Sequence, residues 1–158
     1  MEMEAEQLIP AQRETVWAAL NDTAVLKAAM PGCESFEAVG DNEFSAQVTT
    51  KVGPVKARFK FKVLLTDIDP PAGYTISGEG QGGVAGFAKG GATVQLSDEG
   101  EATLLSYKVK AIVGGKLAQL GARLIDGTAK KLADEFFKNF NTIVSGDSEL
   151  LAEDAAAK

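Results

Sequence analysis

Two kinds of periodicity meet after Val113, and together they leave few folds open. Ala57, Phe59, Phe61, Val63 and Leu65 interleave with Arg58, Lys60 and Lys62, and Leu105, Tyr107, Val109 and Ala111 interleave with Ser106, Lys108 and Lys110. Alternation of this kind belongs to strands with one dry face and one wet face, hence to an antiparallel sheet covered on one side. From Lys116 the period becomes helical: Leu117, Leu120, Leu124, Thr128, Leu132, Phe136, Phe140 and Ile143 step by three and four. A helix over Lys116–Val144 would run about 43 Å at about 1.5 Å per residue, long enough to lie across a whole sheet and supply its cover.

The remaining elements follow from alternation and turn chemistry. Met3, Ala5 and Ile9 alternate with Glu2, Glu4, Glu6 and Leu8, which predicts a first strand that Pro10 ends. Gln12–Leu20 and Thr23–Ala29 read as short helices, the second capped by Asn21 or Asp22 and stopped by Pro31-Gly32. Turn signals at Gly40-Asp41-Asn42, Val52-Gly53-Pro54, Pro70-Pro71-Ala72-Gly73 and Ser97-Asp98-Glu99-Gly100 divide Cys33–Val113 into six strands. Five of these are Phe44–Val52, Lys56–Asp69, Tyr74–Gly82, Phe87–Leu96 and Thr103–Val113. The expected architecture is α+β, a seven-stranded curved antiparallel sheet with two short helices and one long C-terminal helix packed across it. The 158 residues suit a single domain, placed at 1–146, with an acidic, alanine-rich tail over 147–158 expected to be frayed or disordered.

Composition narrows the chemistry. A net charge of −6 argues against nucleic acid as the main partner, because phosphate binding needs a basic surface. With no histidine, His-based triads, His zinc sites and haem ligation by this chain are excluded. One cysteine, Cys33, permits no internal disulfide and no Cys-cluster metal site, so the expectation is no metal and a reducing cytoplasm. Met1–Ile9 does not read as a signal peptide, and the apolar stretches fall short of the roughly 18 residues a membrane span needs. Cys33 lacks a histidine base and reads as a small buried apolar residue rather than a nucleophile.

A wide curved sheet gripped by one helix leaves space to fill. Several inward positions are small: Ala46, Thr50, Ala57, Gly78, Gly80, Ala92 and Ala111, facing Gly121 and Gly127 on the helix. They admit two readings, a cavity or a close approach of helix and sheet. In the first, Phe59, Phe61, Val63, Tyr74, Ile76, Val94, Tyr107 and Val109 form the wall of a ligand site. Leu117, Leu120, Leu124, Phe136 and Phe140 line its helical side, with Gly121 among them, and Trp17, Leu26 and Met30 close one end. Tyr74 and Tyr107 are the polar handles that anchor a ligand or simply pack.

Seven glycines fall within Gly78–Gly91. A phosphate-cradling loop should follow a strand and open a helix, whereas these flanks alternate as strands. The run reads either as a bulged hairpin at a pocket rim, with Val84, Ala85 and Phe87 as an apolar gate, or as a purely structural hairpin. Lys51, Lys56, Arg58, Lys60 and Lys62 form a basic strip, read as a solvated sheet face or as a contact for anionic lipid headgroups or an acidic partner. Lys108 and Lys110 are expected to pair across strands with Glu4 and Glu6.

The chain also resembles a known family. Met30-Pro31-Gly32-Cys33-Glu34, the run GEGQGGVAGFAKGG over Gly78–Gly91, VGGKLAQLG over Val113–Gly121, and Leu124-Ile125-Asp126-Gly127-Thr128-Ala129-Lys130-Lys131 are similar to the carbon monoxide dehydrogenase G-subunit family. That family lies within the START/SRPBCC superfamily of birch-pollen-allergen-like proteins. The resemblance implies a helix-grip fold and a non-enzymatic accessory protein, not a catalytic subunit. It further implies a role in maturation or membrane recruitment of an aerobic molybdenum carbon monoxide dehydrogenase, which would be the partner at the inner face of the cytoplasmic membrane. No cofactor is implied, only an apolar quinone- or lipid-like ligand. Ser145–Lys158 departs from longer relatives in having no apolar anchor. Alternatives are a cyclase or hydratase acting on an apolar substrate, and an assembly adaptor with a filled core.

Overall fold

The computed structural model describes residues 1–145, so the expected tail lies outside the described residues. Seven strands form one antiparallel sheet: β1 (Glu2–Ile9), β2 (Cys33–Gly40), β3 (Glu43–Val52), β4 (Val55–Asp69), β5 (Gly73–Gln81), β6 (Phe87–Glu99) and β7 (Ala102–Gly114). Four α-helices and one short 3-10 turn (Gly83–Ala85) complete the described chain: α1 (Arg13–Leu20), α2 (Thr23–Ala29), α3 (Lys116–Gln119) and α4 (Ala122–Val144). The sheet order is β1-β7-β6-β5-β4-β3-β2, a meander whose last strand returns to pair with the first. Met3 sits opposite Val109 and Ala5 opposite Tyr107, so the dry faces of β1 and β7 coincide.

Local chemistry sets the helical corner. The Asp22 carboxylate accepts from the Ala24 and Val25 N–H groups at 2.9 and 3.4 Å, capping α2 as expected. Pro31-Gly32 ends it, and Gly32 adopts φ +74° with its backbone against the Thr49 carbonyl, where no Cβ fits. The Thr103 hydroxyl donates to the Ala11 carbonyl at 2.7 Å, which ties the entry of α1 to β7. Asn139 of α4 donates to the Ala29 carbonyl at 3.0 Å, tying the long helix to the end of α2.

The C-terminal rod is not continuous. Gly121 takes φ +91° between α3 and α4, so the long helix begins at Ala122 rather than Lys116. Apolar residues keep their three-and-four spacing across this break, which hides it from periodicity. The short α3 then packs with its own cluster of Val52, Phe59, Ala85 and Leu117, joined by Phe61 and Leu120. The larger core gathers Ile9, Val16, Leu20, Leu65, Tyr74, Val94, Leu105, Tyr107 and Phe140 under α1, α2 and α4.

The glycine-rich run serves the smaller cluster. A Cβ at Gly80 would strike the Phe61 ring and one at Gly82 the Phe59 ring. Gly86, at φ +114°, lies against the Gly114 carbonyl and the backbone of Gly115. Missing side chains here admit rings of β4 and neighbouring backbone. Gly127 differs, since nothing lies within 4 Å of its Cβ position and it sits inside α4.

Gly86→Ala is therefore expected to cost more than about 2 kcal/mol, through both strain and collision. Gly127→Ala should add up to about 1 kcal/mol by helix propensity. Urea midpoints at unchanged m-value check both; equal stability of the two variants would contradict this account of the glycines.

Candidate functional site: an apolar cavity under the long helix

The sheet bends away from α4 in its middle. The close backbone approaches of α4 are to α1, α2, β1 and β3, so the helix rests on the short helices and the sheet margins. Side chains from the central strands rise into the gap without filling it, leaving a cavity of about 370 Å³. Val63, Leu65, Tyr74, Ile76, Val94 and Val109 form its floor. Leu26 and Met30 of α2 and Leu132, Ala133, Phe136 and Phe137 of α4 form its roof. Among the described residues, no charged side chain lines it. Two larger hollows, about 860 and 780 Å³, lie among the outward-facing side chains of the sheet and are bordered by Glu4, Glu6, Lys62, Glu79, Lys89 and Lys108. They lie on the wet face of the sheet, between charged side chains.

Aromatic packing stiffens the roof. Phe136 stacks on the fully buried Phe140 with ring centres 5.6 Å apart, and meets Phe137 edge-on at 5.0 Å. Phe137 in turn stacks on Tyr107 at 5.5 Å, which links the helix to β7. On the other side Trp17 of α1 meets the Tyr74 ring edge-on at 5.4 Å. Such pairs are each worth about 0.5–1.5 kcal/mol beyond their area, and they keep the rings from falling into the space.

The expected site residues divide accordingly. Leu26, Met30, Val63, Tyr74, Ile76, Val94, Tyr107, Val109 and Phe136 border the cavity. Phe59, Phe61, Leu117 and Leu120 do not: they point to the same face but belong to the smaller cluster at the far end. Phe140 lies behind Phe136 as core, and Trp17 backs Tyr74 without reaching the space. Leu124 is about one-third exposed and packs beside the Gly53 turn, and Gly121 faces open space at the helix break. The anticipated gate also sits elsewhere, because Val84 is 86% exposed, Ala85 is buried in the smaller cluster and Phe87 covers Gly114. Met3, Leu20, Phe36, Phe44, Leu65, Leu105, Leu132, Ala133 and Phe137 border the cavity without having been expected there. None of the small inward residues Ala46, Thr50, Ala57, Gly78, Gly80, Ala92 or Ala111 does so. Apart from Ala133, the residues that bound the room are large or branched.

Electrostatics at the site are those of neutral phenols. Burial raises the Tyr74 hydroxyl well above its ordinary range, and burial followed by the nearby Asp134 charge raises Tyr107. Cys33 is half-buried, its thiol raised by burial and donating to the Ser35 carbonyl at 3.2 Å. On the outer face, Lys51, Lys56, Arg58, Lys60 and Lys62 are all exposed, and Arg58 is engaged by Glu34 at 3.1 Å. Lys108 pairs with Glu4 as expected, but Lys110 pairs with Glu2 and Glu6 accepts from Ser106 instead. Register accounts for this, since Lys110 stands opposite Glu2 and Ser106 opposite Glu6.

A curved antiparallel sheet with a long helix laid across it is the helix-grip fold. The fold is shared with a START superfamily protein from Mycobacterium smegmatis (TM-score 0.70, 14% identity, 90% of this chain and 96% of that one). It is shared also with Ara h 8.0201 (TM-score 0.62, 17% identity, 91% and 97%). A conserved protein from Geobacillus kaustophilus is much nearer, at 31% identity and TM-score 0.86 over 91% of this chain and 95% of that one. The family model for the carbon monoxide dehydrogenase G-subunit, CoxG, matches residues 6–145, and the chain belongs to that family. No curated protein sequence matches it significantly. Among the described residues, no helix is long and apolar enough to cross a membrane.

The raised phenols carry a pH signature. The unfolded chain releases tyrosine protons near pH 10, while folded Tyr74 keeps its own. The neutral-phenol contribution is thus complete below about pH 10 and is lost as pH rises further through the folded value. Tyrosinate absorbance should show Tyr74 unionised in native protein at about pH 11, and ionised once denaturant is added. Ordinary titration of both tyrosines in the native state would contradict the burial.

Proposed function

We propose that this protein carries a neutral apolar molecule, quinone-like or lipid-like, as a non-enzymatic accessory to an aerobic molybdenum carbon monoxide dehydrogenase. The family assignment supports the association with that enzyme. The observation that carries the carrier reading is the cavity of about 370 Å³ without a charged lining residue. A volume near the lower end of the roughly 300–1,000 Å³ range of ligand sites suits one small molecule or a single chain of a larger one. Each 100 Å² of apolar ligand surface taken from water contributes about 2.5 kcal/mol before the costs of immobilisation.

The same lining speaks against the two alternatives. A cyclase or hydratase draws on an acid and a base poised near neutral pH, and the wall supplies two phenols held neutral and no carboxylate. An adaptor with a filled core has no use for the space. Delivery would take place at the inner face of the cytoplasmic membrane in maturation or recruitment of the enzyme. There Lys51, Lys56, Lys60 and Lys62 offer exposed charge to anionic headgroups, with Arg58 already held by Glu34.

Uptake is tested on stripped protein exposed to a bacterial lipid extract, with native mass spectrometry for bound species and Trp17 fluorescence for occupancy. Trp17 is the chain's one tryptophan and packs on a cavity-lining ring, so its emission should shift on filling. Ala133→Phe places a ring in the space from the roof and should lower uptake at least tenfold with the fold retained. Wild type that retains nothing, or a variant that binds as well as wild type, would overturn the proposal.

A further inference from the structure

A cavity that carries cargo needs a way in, and one stretch of its wall is thin. Met3 and Tyr107 border both the cavity and a surface hollow of about 360 Å³ between β1 and α4. Both belong to the dry face, where Met3 sits opposite Val109 and Tyr107 opposite Ala5, so their side chains form the partition. The Asp134 charge acts on the Tyr107 phenol, which puts the tip of that ring at the hollow. Other hollows give no such access. Those that touch Phe44, Val63 or Tyr107 from the wet face lie behind hydrogen-bonded strand pairs. The hollow of about 470 Å³ along Leu120, Leu124 and Thr128 shares no lining residue with the cavity.

The same flank is unlatched. Among the described residues, no hydrogen bond or ion pair joins β1 to α4, because Glu2 and Glu4 pair with Lys110 and Lys108 of β7. On the α2 side, by contrast, Asn139 bonds α4 to the Ala29 carbonyl. β1 is also an edge strand, so no further strand braces the seam. Tyr107 is pinned by its stack on Phe137, whereas Met3 is half-buried at the edge and has an unbranched side chain with several rotatable bonds.

We propose that the cavity fills and empties through the seam between β1 and α4, with Met3 as the swinging side chain and Tyr107 as its fixed post. This rests on the carrier reading and adds the route by which the carried molecule exchanges. Movement of Met3 leaves the Tyr107–Phe137 stack and the bond to Ala29 in place, so α4 keeps its height while cargo passes. Met3 therefore governs how fast the molecule exchanges, as gates do, and not simply how tightly it is held.

Stopped-flow mixing with N-phenyl-1-naphthylamine, a neutral dye that brightens in apolar surroundings, reads entry, and dilution of the loaded protein reads exit. Asp134→Trp fills the hollow outside the partition and should slow entry and exit alike by about tenfold or more, with the dissociation constant held within about twofold. Met3→Ala removes the swinging side chain and should speed entry by about tenfold. Arg123→Trp, at the hollow beside the Gly53 turn, should leave both rates within about twofold of wild type. Wild-type rates in Asp134→Trp, unchanged entry in Met3→Ala, or slowed exchange in Arg123→Trp would overturn the inference while leaving the carrier reading in place. If wild type takes up no dye, or Ala133→Phe takes up as much, the carrier reading itself fails and this inference falls with it.

Discussion

The structure depends on how the long helix is held off the sheet. A seven-stranded antiparallel sheet curls, and a straight helix laid across it can touch the margins without touching the centre. Here α4 is secured at β1, β3 and the two short helices, with Asn139 bonded to the end of α2 and Phe137 stacked on Tyr107. Each of those contacts fixes the height of the helix. Lowering it would break the aromatic ladder from Tyr107 through Phe137 and Phe136 to Phe140, so collapse is opposed by packing that is already made. Engineered cavities cost about 24 cal/mol per Å³ where the surroundings cannot relax. A protein that tolerates such room gains stability whenever a ligand fills it.

The two ends of the concave face have different jobs. At one end, Phe59, Phe61, Leu117 and Leu120 close the groove, and the glycines at 80, 82 and 86 exist to let rings and backbone approach. At the other, the helices stand clear of the floor and the cavity opens between them. The smaller cluster is thus a plug, and the stability it adds is available to offset what the cavity forfeits.

Alternation made the strands and their faces legible, because parity along a strand decides which side chains point inward. It carried no information on how far along the groove an inward residue would sit, so Phe59 and Val63 looked equivalent although one seals the plug and the other lines the cavity. The helical period likewise ran unbroken through Gly121, whose left-handed backbone leaves no trace in the spacing of apolar residues. Phe44 and Phe137 were missed for lack of a partner: Phe44 gains meaning from its register opposite Val63, and Phe137 from the Tyr107 ring. Small residues were a poor guide to space, since none of those on this sheet borders the cavity and the Phe61 ring occupies the room that Gly80 leaves. The family, by contrast, was legible in short motifs, and in the glycine-rich run the reason is physical: positions such as Gly80, Gly82 and Gly86 tolerate no Cβ and leave few residues to choose from.

Xenon binding tests the central claim most directly, since it reports dry space independently of any biological ligand. A crystal of stripped protein under xenon pressure should hold the gas between Ile76, Val109 and Phe136, and none among Phe59, Phe61 and Leu117. Xenon absent from the first position, with Phe136 and Phe137 folded into the space, would contradict the account.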